Sequence, residues 1–250
     1  MGTKSPRHRA LVAVAAAAVI ASAGCGTSSI PHTSTTASPG ATTSVAAQSQ
    51  SACTELDGTV DGNGICRVRS ATSTYKIDMS FPVDYPEMPE VTAFLKRDRD
   101  DFIDWVAKFG PQGGRDRPYQ YTVTAKTFRS GTPESGTQSL VLQIDNDTGF
   151  AHEGHPNTTF RAFNFNLGMR APITFDTLFK PETKPLEVLN PIVQHDLNAP
   201  SADLNEKTYQ NFAITDDAVI FFFGQDQVVP DNAGPHKVTV PRSELASLLA

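Results

Sequence analysis

The sequence predicts an α+β fold: a mostly antiparallel sheet packed with two main helices, in a single domain stapled by one disulfide. Three observations carry this. Apolar and polar residues alternate in a series of short stretches, the period of half-buried strands. Two longer stretches carry apolar residues at helical spacing, and they fall between runs of strands and not after each strand, which disfavours a doubly wound parallel sheet. Cys53 and Cys66 flank a turn-rich loop, Asp57-Gly58-Thr59-Val60-Asp61-Gly62-Asn63-Gly64.

In chain order, the first element is a basic head, Lys4, Arg7 and Arg9, followed by an apolar stretch of 14 residues from Ala10 to Ala23. That stretch is short for a bilayer span and suits a cleaved signal over residues 1–24. It closes on Ala21-Ser22-Ala23-Gly24-Cys25. The small residues before the cysteine resemble the lipobox of bacterial lipoproteins, with Ser22 where that motif usually has Leu, Val or Ala. The resemblance implies acylation of Cys25 and a mature chain starting there, since several acyl chains anchor stably where one does not. Ordinary cleavage that leaves Cys25 a free thiol is the alternative.

From Gly26 to Ala52 the chain holds 13 Ser or Thr among 27 residues and has no apolar periodicity. Such a segment cannot bury a core, so residues 25–52 read as a lipidated, disordered stalk, either bare or O-glycosylated. Removing residues 1–24 takes away three basic side chains and no acidic ones, leaving 18 basic against 27 acidic, a net charge of −9. That charge disfavours nucleic acid and anionic headgroups as partners, so membrane contact falls to the lipid.

Residues 53–250 then form the domain. In an oxidising compartment Cys53 and Cys66 read as a disulfide, worth about 3 kcal/mol in the chain-entropy view; metal-binding or redox thiols are the alternative, without a CxxC spacing to support them. Tyr75, Ile77, Met79 and Phe81 alternate as a strand that Pro82 and Pro86 end. Val91, Phe94, Leu95, Phe102, Ile103, Val106 and Phe109 recur at helical spacing, with Gly110 placed for a left-handed cap. Tyr119 to Ala125 and Leu140 to Ile144 read as two antiparallel strands around Gly131-Thr132-Pro133. A further strand runs from Thr158 to Leu167, with Phe163, Phe165 and Leu167 on one face and Phe160 and Ala162 on the other.

Pro185 to Leu197 places Leu186, Leu189, Val193 and Leu197 on one helical stripe, which Pro191 should kink. Phe212 and Ile214, then Val219 to Phe223 after Asp216-Asp217, read as a hairpin whose second strand is apolar on both faces and hence central. Val238 to Val240 makes a last strand and Ser243 to Leu249 a terminal helix.

The stretch from Tyr209 to Phe223 resembles the C-terminal part of the mycobacterial MPT/MPB immunogenic secreted-antigen family. Ala233-Gly234-Pro235, Val238 to Ser243, Pro172 to Phe179 and the Cys53 to Cys66 loop fit the same pattern, so the resemblance covers residues 53–250. It implies an extracytoplasmic α+β domain with no agreed catalytic constellation. More distantly, the C-terminal half is similar to the extracytoplasmic domain of RsiV-type anti-sigma factors, which senses lysozyme by binding it. Asp226-Gln227-Val228-Val229-Pro230-Asp231 stands here in place of that family's tyrosine-bearing stretch.

His152-Glu153-Gly154-His155 offers two imidazoles and a carboxylate, but one residue fewer than HExxH, and Gly154 and Pro156 make it a polar loop. No GxSxG pentapeptide occurs. A Ser, His and acid converging from distant positions is the remaining route to hydrolysis, with His152, His155, His195 and His236 available as bases. Asp176 reads as a turn or helix cap before a binding carboxylate. Phe221, Phe222 and Phe223 read as core before an aromatic platform. Gly110 to Gly114 follows a helix and contains Pro111, so no nucleotide site is expected, and neither a cofactor nor a metal.

The expected function is therefore a non-catalytic extracytoplasmic binding domain, lipid-anchored to the cell membrane, with an envelope glycan, lipid or protein as ligand and some product released outside the cell. An extracytoplasmic ester hydrolase with a non-contiguous Ser/His/Asp site is the first alternative. A lysozyme-type protein binder is the second.

Overall fold

In the computed structural model, the described residues are 50–110, 116–148, 156–230 and 234–250. The first sheet has seven strands in the order of the chain: β1 (Thr59–Val60), β2 (Ile65–Ala71), β3 (Tyr75–Pro82), β4 (Tyr119–Ser130), β5 (Thr137–Asn146), β6 (Asn157–Asn166) and β7 (Ala171–Pro172). Every pairing is antiparallel except β3 with β4, which run parallel. A parallel pair needs a crossover, and helix α1 (Met88–Phe109) supplies it. Alternation within each strand could not reveal that direction.

The inner face of this sheet is the apolar one. Ile77, Met79, Phe81, Tyr121, Val123, Leu140, Leu142 and Ile144 share it, all buried, and α1 covers it with Met88, Val91, Leu95, Phe102 and Val106. Where that helical stripe crosses positions 98 and 99 it turns polar and each group is answered. The Tyr121 hydroxyl donates to Asp98 Oδ2 at 2.6 Å, and Arg99 Nη1 donates to the Leu56 carbonyl at 3.1 Å. Arg99 thereby ties the helix to the Cys53–Cys66 loop, whose disulfide is formed with both cysteines fully buried.

Residues 50–54 are helical, and Ala52, on the stalk side of the expected boundary, is buried in the same core.

Gly110 departs from expectation. It is right-handed, with φ −54°, and not a left-handed cap. A side chain there would be crowded, since a Cβ would lie 3.2 Å from both the Tyr119 ring and Val106 Cγ1 and would make them give by a few tenths of an ångström.

The second sheet has three strands, β8 (Phe212–Ile214), β9 (Ala218–Phe223) and β10 (His236–Pro241), in the order β10-β9-β8. The doubly apolar β9 is central, as its sequence requires. Its odd-numbered residues Val219, Phe221 and Phe223 face a second core with Val238 and Val240 of β10. That core is closed by α2 (Phe175–Leu178), α3 (Pro185–Asp196), a 3₁₀ turn (Glu206–Tyr209) and α4 (Arg242–Leu245). Helix α3 accommodates Pro191 inside its length. Tyr209 sits at the centre, fully buried, its ring against Phe175, Phe221 and Phe223 and its hydroxyl donating to Asn190 Oδ1 at 2.8 Å.

The terminal helix is shorter than expected and ends at Leu245; Leu249 forms a β-bridge with Phe179 instead.

The other face of the second sheet lies on the outer face of the first. Ala213 and Phe222 pack on Val141, with Phe128, Phe160, Ala162 and Ile220 half-buried around them. Side chains lock the two sheets where backbone groups would otherwise be orphaned. Ser139 Oγ accepts from Ile214 N at 3.0 Å, and Asn164 Nδ2 donates to the Phe212 carbonyl at 3.0 Å. Beyond the end of β7 the free edge of β6 is covered: Asn211 Oδ1 accepts from Ala162 N, and Gln225 exchanges two bonds with the Thr158 backbone. An edge so covered offers no template for strand addition.

Candidate functional site

The second sheet does not cover the whole outer face of the first. Where β9 and β10 overhang β4, β5 and β6 they leave a cleft of about 470 Å³, within the range of small-molecule sites. Side chains alternate across a strand, so pairing decides which of the neighbouring residues reach it. Phe128 and Val141 face it from the first sheet, as does Phe160, and Ile220 and Phe222 face it from the second. The Phe222 ring is 5.4 Å from that of Phe160 and 5.9 Å from that of Phe128, centroid to centroid. This apolar floor is only partly closed, since Phe128, Phe160 and Ile220 all retain exposure.

The rim is cationic. Lys126 lies between Thr124 and Phe128 on the outward parity of β4, and Lys237 is paired with Phe222 across β10 and β9, on the same face. Both lysines are exposed, and neither makes an ion pair with any described residue. Gln143 completes the rim beside them. Its amide donates to both oxygens of Asp145, which also accepts from the Thr158 hydroxyl at 2.6 Å, so that carboxylate is already engaged.

His236 is among the residues lining the cleft, but strand parity sets its side chain on the other face. Its register partner is Phe223, so its imidazole shares the face of Val238 and the second core, and its buried Nε2 has no hydrogen-bond partner. His195 is on the surface at the end of α3, with Nδ1 3.2 Å from Asp196 Oδ1 and its side chain 90% exposed. Among the described residues no serine hydroxyl is hydrogen-bonded to a histidine. The described serine with the richest partners is Ser130, which accepts from Arg242 Nη1 at 3.1 Å beside Asp216. The Gly131 N–H, then Ser130, then the Arg242 charge hold the Asp216 carboxyl below the usual carboxylate range. This trio joins the β4–β5 turn to the second sheet and is a latch.

His152, Glu153 and His155 lie outside the described residues, as does Cys25, and among the described residues no His/Cys/Asp/Glu cluster could hold a metal. No helix among them is long and apolar enough to cross a membrane. Asp176 occupies the first turn of α2, but Thr174 is the residue that caps it. Phe221, Phe222 and Phe223 are all buried core as expected, and Phe222 also forms part of the floor of the cleft. Sequence reasoning missed Lys126, Lys237, Phe128 and Phe160, because nothing in a strand's own pattern says where a second sheet will stop covering it.

Comparisons with known proteins place this geometry. The pattern of a family described as "Protein of unknown function (DUF3298)" matches residues 176–243, within the C-terminal third of the chain. A Mycobacterium tuberculosis protein named esterase Rv3036c is 42% identical over 212 residues, covering 81% of this chain and 91% of its own. The immunogenic protein MPB64 of Mycobacterium bovis is 39% identical over 207 residues, covering 79% and 88%, and the immunogenic protein MPT64 of M. tuberculosis matches equally. The crystal structure of a DUF3298 family protein from Pseudomonas aeruginosa PAO1 superposes with a TM-score of 0.50 at 12% identity, covering 78% of this chain and 96% of its own. That likeness is one of fold.

Proposed function

This chain belongs to the family of the immunogenic proteins MPB64 and MPT64, and from that premise we propose that it is an exported, lipid-anchored envelope protein whose domain binds a ligand in the cleft between its two sheets without turning it over. The observation that carries the reading is the cleft itself, apolar in its floor and furnished with lysines; of the described histidines only His236 lines it, and the parity of its strand sets its side chain with Val238 on the opposite face. Binding needs only complementary surface, whereas acyl transfer needs a nucleophile, a base within hydrogen-bond reach and an oxyanion site. Export follows from the signal over residues 1–24 and the anchor from Cys25; relatives named as immunogenic proteins fit a product met outside the cell.

A second reading is an ester hydrolase, favoured by the 42% identity to a protein named esterase. One experiment separates the two. The purified full chain is treated with a fluorophosphonate and assayed on short-chain nitrophenyl esters, beside a heat-denatured control. The binding reading expects no stoichiometric adduct on the folded protein and no saturable turnover. A single serine adduct, together with turnover abolished by substituting that serine, would establish the hydrolase instead.

A further inference from the structure

We propose that the ligand of the cleft is a single-chain amphiphile with an anionic head, held with its hydrocarbon chain on the Phe128, Phe160, Ile220 and Phe222 floor and its oxyanion between Lys126 and Lys237. The inference rests on the reading of the cleft as a binding site and names the chemistry that site selects.

Charge complementarity decides the occupant. The chain as a whole is acidic, with 27 acidic against 21 basic side chains, yet among the described residues no carboxylate pairs with either cation beside the cleft. Elsewhere on the same outer face, Arg67 is matched by Asp61 and Arg69 by Asp78, while Lys76, like the cleft lysines, has no ion pair among the described residues. Lysine stems lie readily along apolar surface while their ammonium groups stay wet. The cleft therefore offers a hydrocarbon surface ending in two positive charges that no described carboxylate answers. A neutral glycan would leave both the floor and the charges unanswered. A diacyl lipid would bring a second chain, for which a cleft of about 470 Å³ floored by one side chain each from β4, β5 and β6 and two from β9 has no room. A peptide would seek the edge of β10, but its exposed positions include Lys237 and Pro241, residues that discourage strand addition.

A fatty carboxylate and the phosphate of a lysolipid share this chemistry and differ in source. The test is calorimetric titration of the purified full chain, below micellar concentrations, with oleate, an oleoyl lysophosphatidate and uncharged methyl oleate. The expected result is saturable one-to-one binding of at least one of the anions, about tenfold tighter than methyl oleate. Lys126→Met and Lys237→Met, both at exposed sites, should each remove about threefold of that advantage and leave methyl oleate unaffected. Whichever anion binds more tightly identifies the head group.

Equal affinity for charged and uncharged amphiphiles, insensitive to both lysine variants, would overturn the anionic head and leave the cleft as a binding site. Ile220→Asp, in a chain whose circular dichroism is unchanged, should abolish binding of all three. If it changes nothing, the ligand sits elsewhere and the cleft reading falls with the inference. No binding of any of the three also overturns the inference.

Discussion

Gly58 is required by the disulfide and not by its own backbone. It is absent from the positive-φ glycines, which are Gly64, Gly131 and Gly234. A Cβ there would lie 2.8 Å from Cys53 Sγ, 2.8 Å from Val68 Cγ2 and 2.9 Å from Cys66 Sγ. Side chains cannot approach so closely, so Gly58→Ala must push the loop off the sulfurs, an overpacking that costs about 1–3 kcal/mol. Replacing both cysteines by Ala costs about 3 kcal/mol through the reopened loop, and it also removes two of the three obstructing atoms. The two perturbations must therefore couple. Urea unfolding of the four corners of the cycle, read by far-UV circular dichroism, should show Gly58→Ala costing about 1 kcal/mol less without the sulfurs than with them, within the coupling usual for residues in contact. Equal losses in both backgrounds would refute the argument that the sulfurs exclude a side chain at position 58.

Three other outcomes follow from the packing, and a fourth from the proposed lipid anchor. Gly136→Ala places a Cβ 2.0 Å from the Ser130 carbonyl and 2.7 Å from that of Thr132; both are backbone atoms of the β4–β5 turn, so a loss of about 3 kcal/mol is expected in thermal unfolding. Tyr121→Phe leaves Asp98 without its 2.6 Å donor and should cost about 1.5–3 kcal/mol in chemical denaturation. Burial first, and then the Asp98 charge, hold the Tyr121 hydroxyl protonated well above its ordinary range, so the wild-type bond should persist in alkaline solution. Asp216 has a folded-state pKa below its unfolded value, so its stabilising contribution is present above the unfolded value and is lost as pH falls through the folded one. Asp216→Asn should therefore flatten the acid limb of a Tm-against-pH curve and leave the neutral-to-alkaline limb parallel. Cys25→Ser should move the protein out of the detergent-extracted membrane fraction and abolish metabolic labelling by palmitate.

The parts legible in the sequence were those where one strand or helix declares its own environment. Strand β9 is apolar at both parities and is central; β6 separates Phe163 and Phe165 from Phe160 and Ala162, and the two sets do face opposite ways. The stripe of α1 meets the inner face of the sheet as its spacing requires. What a strand cannot declare is its neighbour's direction or the extent of its cover. The parallel β3–β4 pair carries the same alternation as an antiparallel one, and β1 and β2 are too polar on their outer face to stand out. Gly110 looks like a left-handed cap because many glycines after helices are, yet it is right-handed and lies close under the Tyr119 ring.

The cleft was illegible for a related reason. Lys126 and Lys237 are 111 positions apart in the chain, and each reads alone as a solvated side chain. Only the docking of one sheet on the other brings both to the same apolar floor. His236 teaches the converse, since it adjoins the cleft in chain position and is turned away from it by the parity of β10.

The measurement that bears most directly on the inter-sheet cleft as a binding site is a methyl-detected NMR titration of the ¹³C-methyl-labelled full chain with oleate. The account predicts progressive shifts of the Ile220 and Val141 methyls, while Ile77 beneath α1 and Leu189 in the second core hold still. Shifts centred on Ile77 or Leu189 with Ile220 unmoved, or no shift of any methyl at a large excess of oleate, would contradict it.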